Sequence, residues 1–143
     1  MPREPLPVLD DFVWHLDIPT RWGDHDSYGH VNNAVQYSVF ETTIMRWLEI
    51  EHGLATGAGP VRCFTVENGC QYHAPVKHPA TLRCGLRVGR LGSSSVRYEL
   101  GVFDGDTTVA TGFVVDVFVA ADTERPTAIP DPYRTALSLL VRE

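Results

Sequence analysis

The chain has 143 residues, of which 43% are hydrophobic and 21% charged, and its formal net charge is -6. This length fits one compact domain, 1–143, and the composition is that of a globular chain rather than a disordered one. The acidic balance argues against nonspecific nucleic-acid binding, which requires a basic surface. No apolar stretch approaches the roughly 20 residues of a membrane-spanning helix. We therefore expect neither nucleic acid nor a membrane as a partner.

Two features bear on the cellular compartment. The chain has three cysteines, an odd number without CxxC spacing, which favours reduced thiols over disulfides or a metal site: Cys63, Cys70 and Cys84. Residues 1–11 are rich in proline and acid and lack the apolar run of a signal peptide, so we do not expect a signal peptide there. We expect this segment to be flexible. These features predict a cytoplasmic protein.

The predicted elements begin with a strand over 12–21, followed by a polar loop and by the only long helical pattern, 33–52. The residues expected on the buried face of this helix recur at helical spacing: Tyr37, Phe40, Ile44, Trp47, Leu48 and Glu51. Asn32 or Asn33 can cap the start of the helix, and Gly53 can end it. The pattern predicts one long amphipathic helix.

Strand patterns dominate after a Gly- and Ala-rich loop, 53–60. Apolar and polar residues alternate over most of them, and the predicted strands are 62–73, 81–88, 96–102 and 107–120. The Asn68-Gly69 pair suggests a bulge or kink in the first of these strands. A C-terminal extension, 122–143, is expected to hold a short helix that starts at Asp131.

This order of elements predicts the fold class. One strand, one long helix and about four further strands cannot form a doubly wound fold, because that fold needs helices between its strands. The economical arrangement is an α+β domain in which an antiparallel sheet of about five strands wraps around the single helix.

The loop before the helix concentrates reactive side chains. Over 21–33 it reads Arg-Trp-Gly-Asp-His-Asp-Ser-Tyr-Gly-His-Val-Asn-Asn. A helix start offers unpaired N–H groups and the positive end of the helix dipole, so Asp26 lies upstream of a binding site for developing negative charge. Asp24, two residues before Asp26, is expected to be structural. His30 can orient Asp26 or a substrate, protonate a leaving group, or only fix the turn.

A metal site is not expected in this loop. Its acidic and histidine side chains are neighbours on an extended segment and converge poorly on one ion, and no cysteine pair accompanies them. His73 and His78 are isolated in the sequence and are expected at the surface or in turns.

These motifs resemble those of the hotdog-fold thioesterases, and most closely the 4-hydroxybenzoyl-CoA thioesterase-like acyl-CoA thioesterases. The resemblance rests on Asp24-His25-Asp26, on the run Gly29-His30-Val31-Asn32-Asn33-Ala34 and on Phe40-Glu41, and residues 72–75 also resemble the family's sequence before its third strand. It implies a hotdog fold, homodimers joined edge to edge or homotetramers built from them, and active sites at the dimer interface. It also implies hydrolysis of an acyl-CoA or acyl-carrier thioester to a free acid and a thiol, with no cofactor.

The same resemblance assigns roles to single residues. The second acid of the family's Asp-x-Asp pair is catalytic, which implies that Asp26 is the general base or the nucleophile. The backbone N–H near the first helical residue polarises the thioester carbonyl, and the nearest match is Asn33. His30 is a second catalytic candidate, while Gly29 and Asn32 are expected to support the loop and the helix start.

Two positions on the helix stand apart. Glu41 falls on or beside the apolar face, where we expect it to brace the helix against the loop by hydrogen bonds; in another hotdog subgroup a helical Glu is the catalytic acid. In the first helical turn this chain has Gln36 where relatives usually place Tyr.

Other functions and binding residues stay open. A hotdog hydratase or dehydratase also uses an Asp and a His near the helix start, and a non-catalytic acyl-thioester binding protein would need neither. Four arginines could bind the phosphates of coenzyme A or could form a solvated face of the sheet: Arg83, Arg87, Arg90 and Arg97.

Overall fold

The computed structural model describes residues 3–55, 57 and 59–142. Positions 1 and 2 of the N-terminal segment, 56 and 58 of the predicted loop, and 143 of the C-terminal extension lie outside these residues. The helices and strands are β1 (Trp14–Pro19), α1 (Val35–Met45), β2 (Val61–Tyr72), β3 (Thr81–Leu91), β4 (Ser95–Asp104), β5 (Thr107–Ala120) and α2 (Asp131–Ser138). None of the helices in the described part of the chain is long and apolar enough to span a membrane.

All five strands form one antiparallel sheet in the order β1-β3-β4-β5-β2. The sheet curls around α1, and the main core lies between them. From the helix the core receives Phe40, Ile44 and Leu48, each with none of its surface exposed. Burial of these apolar side chains drives the wrapping, because β3, β4 and β5 contribute buried apolar side chains to the same core as the helix. The predicted α+β hotdog architecture is confirmed.

The central helix continues beyond α1 as a π-helical segment, Arg46–Glu51. Trp47 and Leu48 in this segment are buried, as predicted, but Glu51 is exposed. In a π-helix the hydrogen bonds span five residues rather than four, so the side chains rotate around the axis and the predicted spacing no longer holds.

The edge strand β2 is irregular at a different position from the one predicted. Its register against β5 shifts between Thr65 and Glu67, which leaves Val66 as the additional residue of a bulge. Gly69 instead makes room for an aromatic ring across the strands, because a Cβ there would lie 2.6 Å from Phe113 Cε1. The Asn68-Gly69 pair therefore marks a close packing contact and not the bulge.

The segment before β1 lies on the outer face of the sheet. The Thr108 hydroxyl donates a hydrogen bond to the Pro7 carbonyl at 2.9 Å. The Phe12 ring occupies space left by two glycines, since a Cβ at Gly85 or Gly101 would approach it to 2.6 or 2.7 Å. The Arg87 guanidinium lies 5.1 Å from the centre of the same ring. These contacts cover part of the sheet opposite α1.

Candidate functional site

A cleft of about 320 Å³ opens beside the N-terminus of α1. One wall is formed by the loop and the first helical turn, and the other by the end of β2 and the residues that follow it. The cleft is lined by Asp26, His30, Val31, Asn33, Gln36, Tyr72, His73, Ala74, Pro75 and Val76. The structure therefore brings the predicted residues Asp26, His30 and Asn33 to one place.

Backbone hydrogen bonds join the two walls of the cleft. Val31 N–H donates to the Val76 carbonyl at 2.7 Å, and His30 pairs with Lys77 as an isolated antiparallel bridge. The loop itself turns at Gly29, whose φ of +77° lies in the left-handed region that favours glycine. The predicted supporting role of Gly29 thus has a conformational basis: its N–H reaches the Asp26 carbonyl at 3.0 Å.

The Asp26 carboxylate takes part in this turn. Its Oδ1 accepts hydrogen bonds from the backbone N–H groups of Tyr28, at 2.9 Å, and His30, at 3.3 Å. Within the described residues, no hydrogen-bond donor meets Oδ2. One carboxylate oxygen therefore holds the loop, and the other can meet a ligand in the cleft.

Asp24 lies outside the cleft and is 5% exposed. Its Oδ2 accepts the Arg21 backbone N–H at 2.7 Å, and its Oδ1 pairs with the Arg21 guanidinium at 2.9 Å. Burial alone would raise the pKa of the Asp24 carboxyl, but the hydrogen bonds from Arg21 outweigh burial and lower the pKa. Its carbonyl also accepts the Asn32 N–H at 2.8 Å, so Asp24 ties the start of the loop to its end.

A free backbone donor lies at the helix start. Asn32 Oδ1 accepts the Ala34 N–H at 3.0 Å, and the Asn32 carbonyl accepts the Val35 N–H at 2.9 Å. Asn32 thus holds the turn that precedes the helix. The prediction that Asn32 or Asn33 caps the helix is wrong, since the N-cap residue is Ala34 and has no side-chain cap. The Asn33 N–H, in contrast, meets no acceptor among the described residues, although Asn33 lines the cleft. An unpaired backbone donor at a helix N-terminus can hold a developing oxyanion.

Tyr72 contributes a contact that sequence reasoning did not identify. Its hydroxyl donates to the Asn33 carbonyl at 3.1 Å, and the same carbonyl accepts the Gln36 N–H at 3.2 Å. Desolvation, with smaller effects of Cys70 and Tyr37, raises the pKa of Tyr72 to about 12, so the phenol stays protonated and remains a donor near neutral pH. The only signal in the sequence was the family resemblance around residues 72–75.

His73 follows Tyr72 and also lines the cleft, although its isolated position in the sequence predicted a surface or turn residue. Its Nε2 lies 2.8 Å from the Thr111 hydroxyl on β5. This contact places the His73 ring between the end of the sheet and the cleft.

Glu41 lies outside the cleft, on an exposed stretch of the helix beside Thr42 and Met45. Partial desolvation and the nearby Asp116 carboxylate raise the pKa of Glu41. Among the described residues, no hydrogen bond joins Glu41 to the loop, and Glu41 does not line the cleft that contains Asp26. The predicted brace between the helix and the loop is therefore not observed.

The candidate arginines lie away from the cleft. Arg83 pairs with Asp17 at 2.7 Å, and Arg87 pairs with Glu99 at 3.2 Å. The Arg97 guanidinium lies 4.0 Å from the centre of the Phe113 ring. A larger depression, of about 610 Å³, lies beside Arg83 and Asp17 but contains no helix start. Within the described part of the chain, no three metal-ligating side chains cluster.

Comparison with known proteins identifies the family. Residues 20–137 match the model of the thioesterase-like superfamily. The chain is similar to the PA5185 protein of Pseudomonas aeruginosa strain PAO1, with 41% identity and a TM-score of 0.92 over 97% of this chain and 99% of that one. It is also similar to the PA2801 protein of Pseudomonas aeruginosa, with 34% identity and a TM-score of 0.80 over 87% and 98% of the two chains.

A more distant structure, a 1,4-dihydroxy-2-naphthoyl-CoA thioesterase from Synechocystis, shares the fold at 15% identity, with a TM-score of 0.81 over 87% of this chain and 94% of that one. No curated protein matches the chain in sequence. The match to the superfamily model covers most of the chain and includes every residue of the cleft. The chain therefore belongs to the thioesterase-like superfamily and is a thioester hydrolase with the hotdog fold.

Proposed function

We propose that the chain is an acyl-CoA thioesterase of the 4-hydroxybenzoyl-CoA thioesterase-like kind, which releases a free carboxylic acid and coenzyme A. The observation that carries the proposal is that Asp26 and the unpaired Asn33 N–H lie in one cleft. Thioester hydrolysis requires a base or nucleophile, here the Asp26 carboxylate, and a hydrogen-bond donor for the oxyanion, here the Asn33 N–H. The resemblance of the loop to that family favours coenzyme A as the carrier, and an acyl carrier protein would present the same thioester.

In this mechanism the thioester carbonyl oxygen accepts the Asn33 N–H, and Asp26 Oδ2 faces the carbonyl carbon. Asp26 either takes a proton from the attacking water or attacks the carbon itself, forming a mixed anhydride that water then cleaves. In both routes the C–S bond breaks and the thiolate leaves, with His30 as the proton donor. General-base assistance contributes about 10²–10⁴ in rate, and loss of one oxyanion donor costs about 3 kcal/mol. A thiolate is a good leaving group, so these groups suffice without a metal.

The proposal includes a homodimer formed through β2, or a tetramer of two such dimers. β2 is an edge strand of 12 residues, and its outer side exposes Phe64 and Val66 at 43% and 62%. A long apolar edge is a template for strand pairing. Because β2 ends at Tyr72 in the cleft, a second copy paired along β2 would lie next to the active site. We also propose a cytoplasmic location, where the free thiols of Cys63, Cys70 and Cys84 stay reduced.

Release of free thiol from a panel of acyl-CoAs tests the proposed function. The panel contains short, long and aromatic acyl groups, together with an enoyl-CoA whose ultraviolet absorbance is followed in parallel. We expect thiol release from at least one saturated or aromatic substrate and no loss of enoyl absorbance.

Two results would contradict the proposal. Loss of enoyl absorbance without thiol release would indicate a hydratase. Tight binding of acyl-CoA without turnover of any substrate would indicate a non-catalytic binding protein. A blank without substrate accounts for the chain's own thiols.

A further inference from the structure

The floor of the cleft contains a buried acceptor that none of the described residues satisfies. The Gln36 side chain is 3% exposed and lines the cleft, and its Oε1 has no hydrogen-bond donor among the described residues. Its backbone N–H is occupied by the Asn33 carbonyl, so the unpaired atom is the side-chain oxygen. A buried carboxamide oxygen without a donor costs free energy, which a bound donor would recover.

The position of Gln36 indicates which part of a substrate it meets. Asn33 is exposed, whereas Gln36, one helical turn later, is buried, so depth in the cleft increases from Asn33 to Gln36. A thioester whose oxygen is bound by the Asn33 N–H has its polar coenzyme A arm directed to solvent and its acyl group directed inward. Helical side chains lean towards the N-terminus, which brings the Gln36 carboxamide back towards the level of the thioester carbonyl.

The other deep lining residues are apolar. Val31 and Val76 are 7% and 3% exposed, and the half-buried Ala74 and the exposed Pro75 extend this apolar wall. The inner cleft is thus an apolar surface with one unpaired acceptor, the pattern by which small-ligand sites fix orientation and select substrates. An acyl group that is a plain hydrocarbon would leave this acceptor unpaired, which would weaken its binding.

We propose that Gln36 is a specificity-determining residue and that the preferred acyl group carries a hydroxyl close to its thioester carbonyl, which donates to Gln36 Oε1. The inference rests on the proposed function and names its substrate class. A site built to bond a hydroxyl discriminates strongly against the analogue that lacks it, because the protein group is then left unpaired.

Matched substrate pairs test the proposal. kcat/KM is measured for butyryl-CoA against 2-hydroxybutyryl- and 3-hydroxybutyryl-CoA, and for benzoyl-CoA against 2-hydroxybenzoyl-CoA. For the wild type we expect a hydroxylated member to be preferred about tenfold or more over its plain partner. In Gln36→Met, which keeps the length of the side chain but removes the acceptor, the preference should fall to about one while the plain substrate is still hydrolysed.

Two further variants make the result specific. Gln36→Leu should behave like Gln36→Met and replaces it if the thioether perturbs folding. Gln71→Met makes the same chemical change at an exposed position outside the cleft and should keep the wild-type ratio. Equal kcat/KM for every pair in the wild type, or an unchanged ratio in both Gln36 variants, would overturn the inference and leave the thioesterase function intact. Absence of thiol release from these five substrates and from every other acyl-CoA of the panel would overturn the proposed function, and this inference with it. Thiol release from other panel members alone would overturn the inference only.

Discussion

At the scale of single residues, the two oxygens of Asp26 have different surroundings. Oδ1 accepts the N–H groups of Tyr28 and His30, whereas no donor from the described residues reaches Oδ2. Backbone donors fix the carboxylate in the loop without a second side chain, which is the preorganisation that a base or nucleophile needs. An Asn at this position can keep the turn through its own Oδ1, so it removes the acid with little change in the loop.

Tyr72→Phe should lower kcat about threefold to tenfold with little change in KM, since it removes a hydrogen bond worth about 1 kcal/mol that positions the first helical turn. Steady-state kinetics of thiol release measure this effect. Tyr28→Phe is the matched control, because Tyr28 lies on the loop that contains Asp26 and is 82% exposed. A kcat equal to wild type in Tyr72→Phe would show that the Tyr72 hydroxyl does not position the oxyanion donor.

The residues of the site that could be predicted are those that lie close together in the sequence. Asp26, His30 and Asn33 lie within eight positions of one another, and their spacing is legible in the sequence. Tyr72 and His73 reach the cleft from the far end of β2, about 40 positions later, and only the tertiary fold brings them there. The burial of Gln36 was hidden for the same reason, because the segment that covers it, around Val76, is distant in sequence.

At the scale of elements, each strand was predictable to the extent that it has one buried face. Apolar and polar residues alternate clearly in β3 and β4, because the inward residues contact α1 or its surroundings. The predicted bounds of both strands lie within a few positions of the observed ones. β2 alternates poorly, since it is an edge strand and its bulge at Val66 depends on its register against β5. A bulge that arises from pairing with a distant strand leaves no local signal.

The contact between α1 and β5 depends on Gly112. A Cβ at this position would lie 2.4 Å from Phe40 Cε2 and 2.5 Å from the Gly69 carbonyl oxygen. Gly112→Ala should therefore lower the free energy of unfolding by about 1–3 kcal/mol through overpacking. Urea denaturation measures the loss. Gly57→Ala is the control, since a Cβ at Gly57 meets nothing within 4 Å. Equal stability of the two variants would contradict this close packing.

A buried carboxyl on β5 should give a pH dependence of stability. Burial raises the pKa of Asp116 above its ordinary 3.8, although hydrogen bonds from Thr65 and Cys63 oppose the rise. The folded state therefore holds this proton more tightly than the unfolded chain. Its contribution to stability is fully present below the unfolded pKa and is lost as pH rises through the folded pKa.

Asp116→Asn should remove this contribution. In urea denaturation over a pH series, the free energy of unfolding of the wild type should fall relative to the variant as pH rises above about 3.8. The comparison with the variant is needed because Asp24, whose pKa is lowered, contributes with the opposite sign. A constant difference between the two proteins across the series would contradict the raised pKa of Asp116.

At the scale of the whole molecule, the free edge of β2 is the surface on which assembly would depend. The opposite edge strand, β1, has six residues, half the length of β2. The outer face of the sheet is partly covered by residues before β1. The long, apolar and uncovered edge therefore favours pairing of two copies through β2, next to the cleft.

Val66→Lys should dissociate the proposed oligomer, because it places a charge at the centre of this edge. Light scattering should show the mass of a single chain, and thiol release should fall with it. Val8→Lys is the matched control, since Val8 is 57% exposed and lines the depression beside Asp17 and Arg83, which contains no residue of β2. A Val66→Lys oligomer with wild-type mass would rule out assembly through this edge.

The kcat of Asp26→Asn on the best acyl-CoA substrate tests most directly whether the Asp26 carboxylate carries out the reaction. We predict a fall of about 10²–10⁴, with the unfolding transition and the oligomer mass of the wild type preserved. Asp104→Asn, the same change in an exposed hairpin, should keep full activity. Turnover by Asp26→Asn at the wild-type rate would show that the reaction does not use this carboxylate.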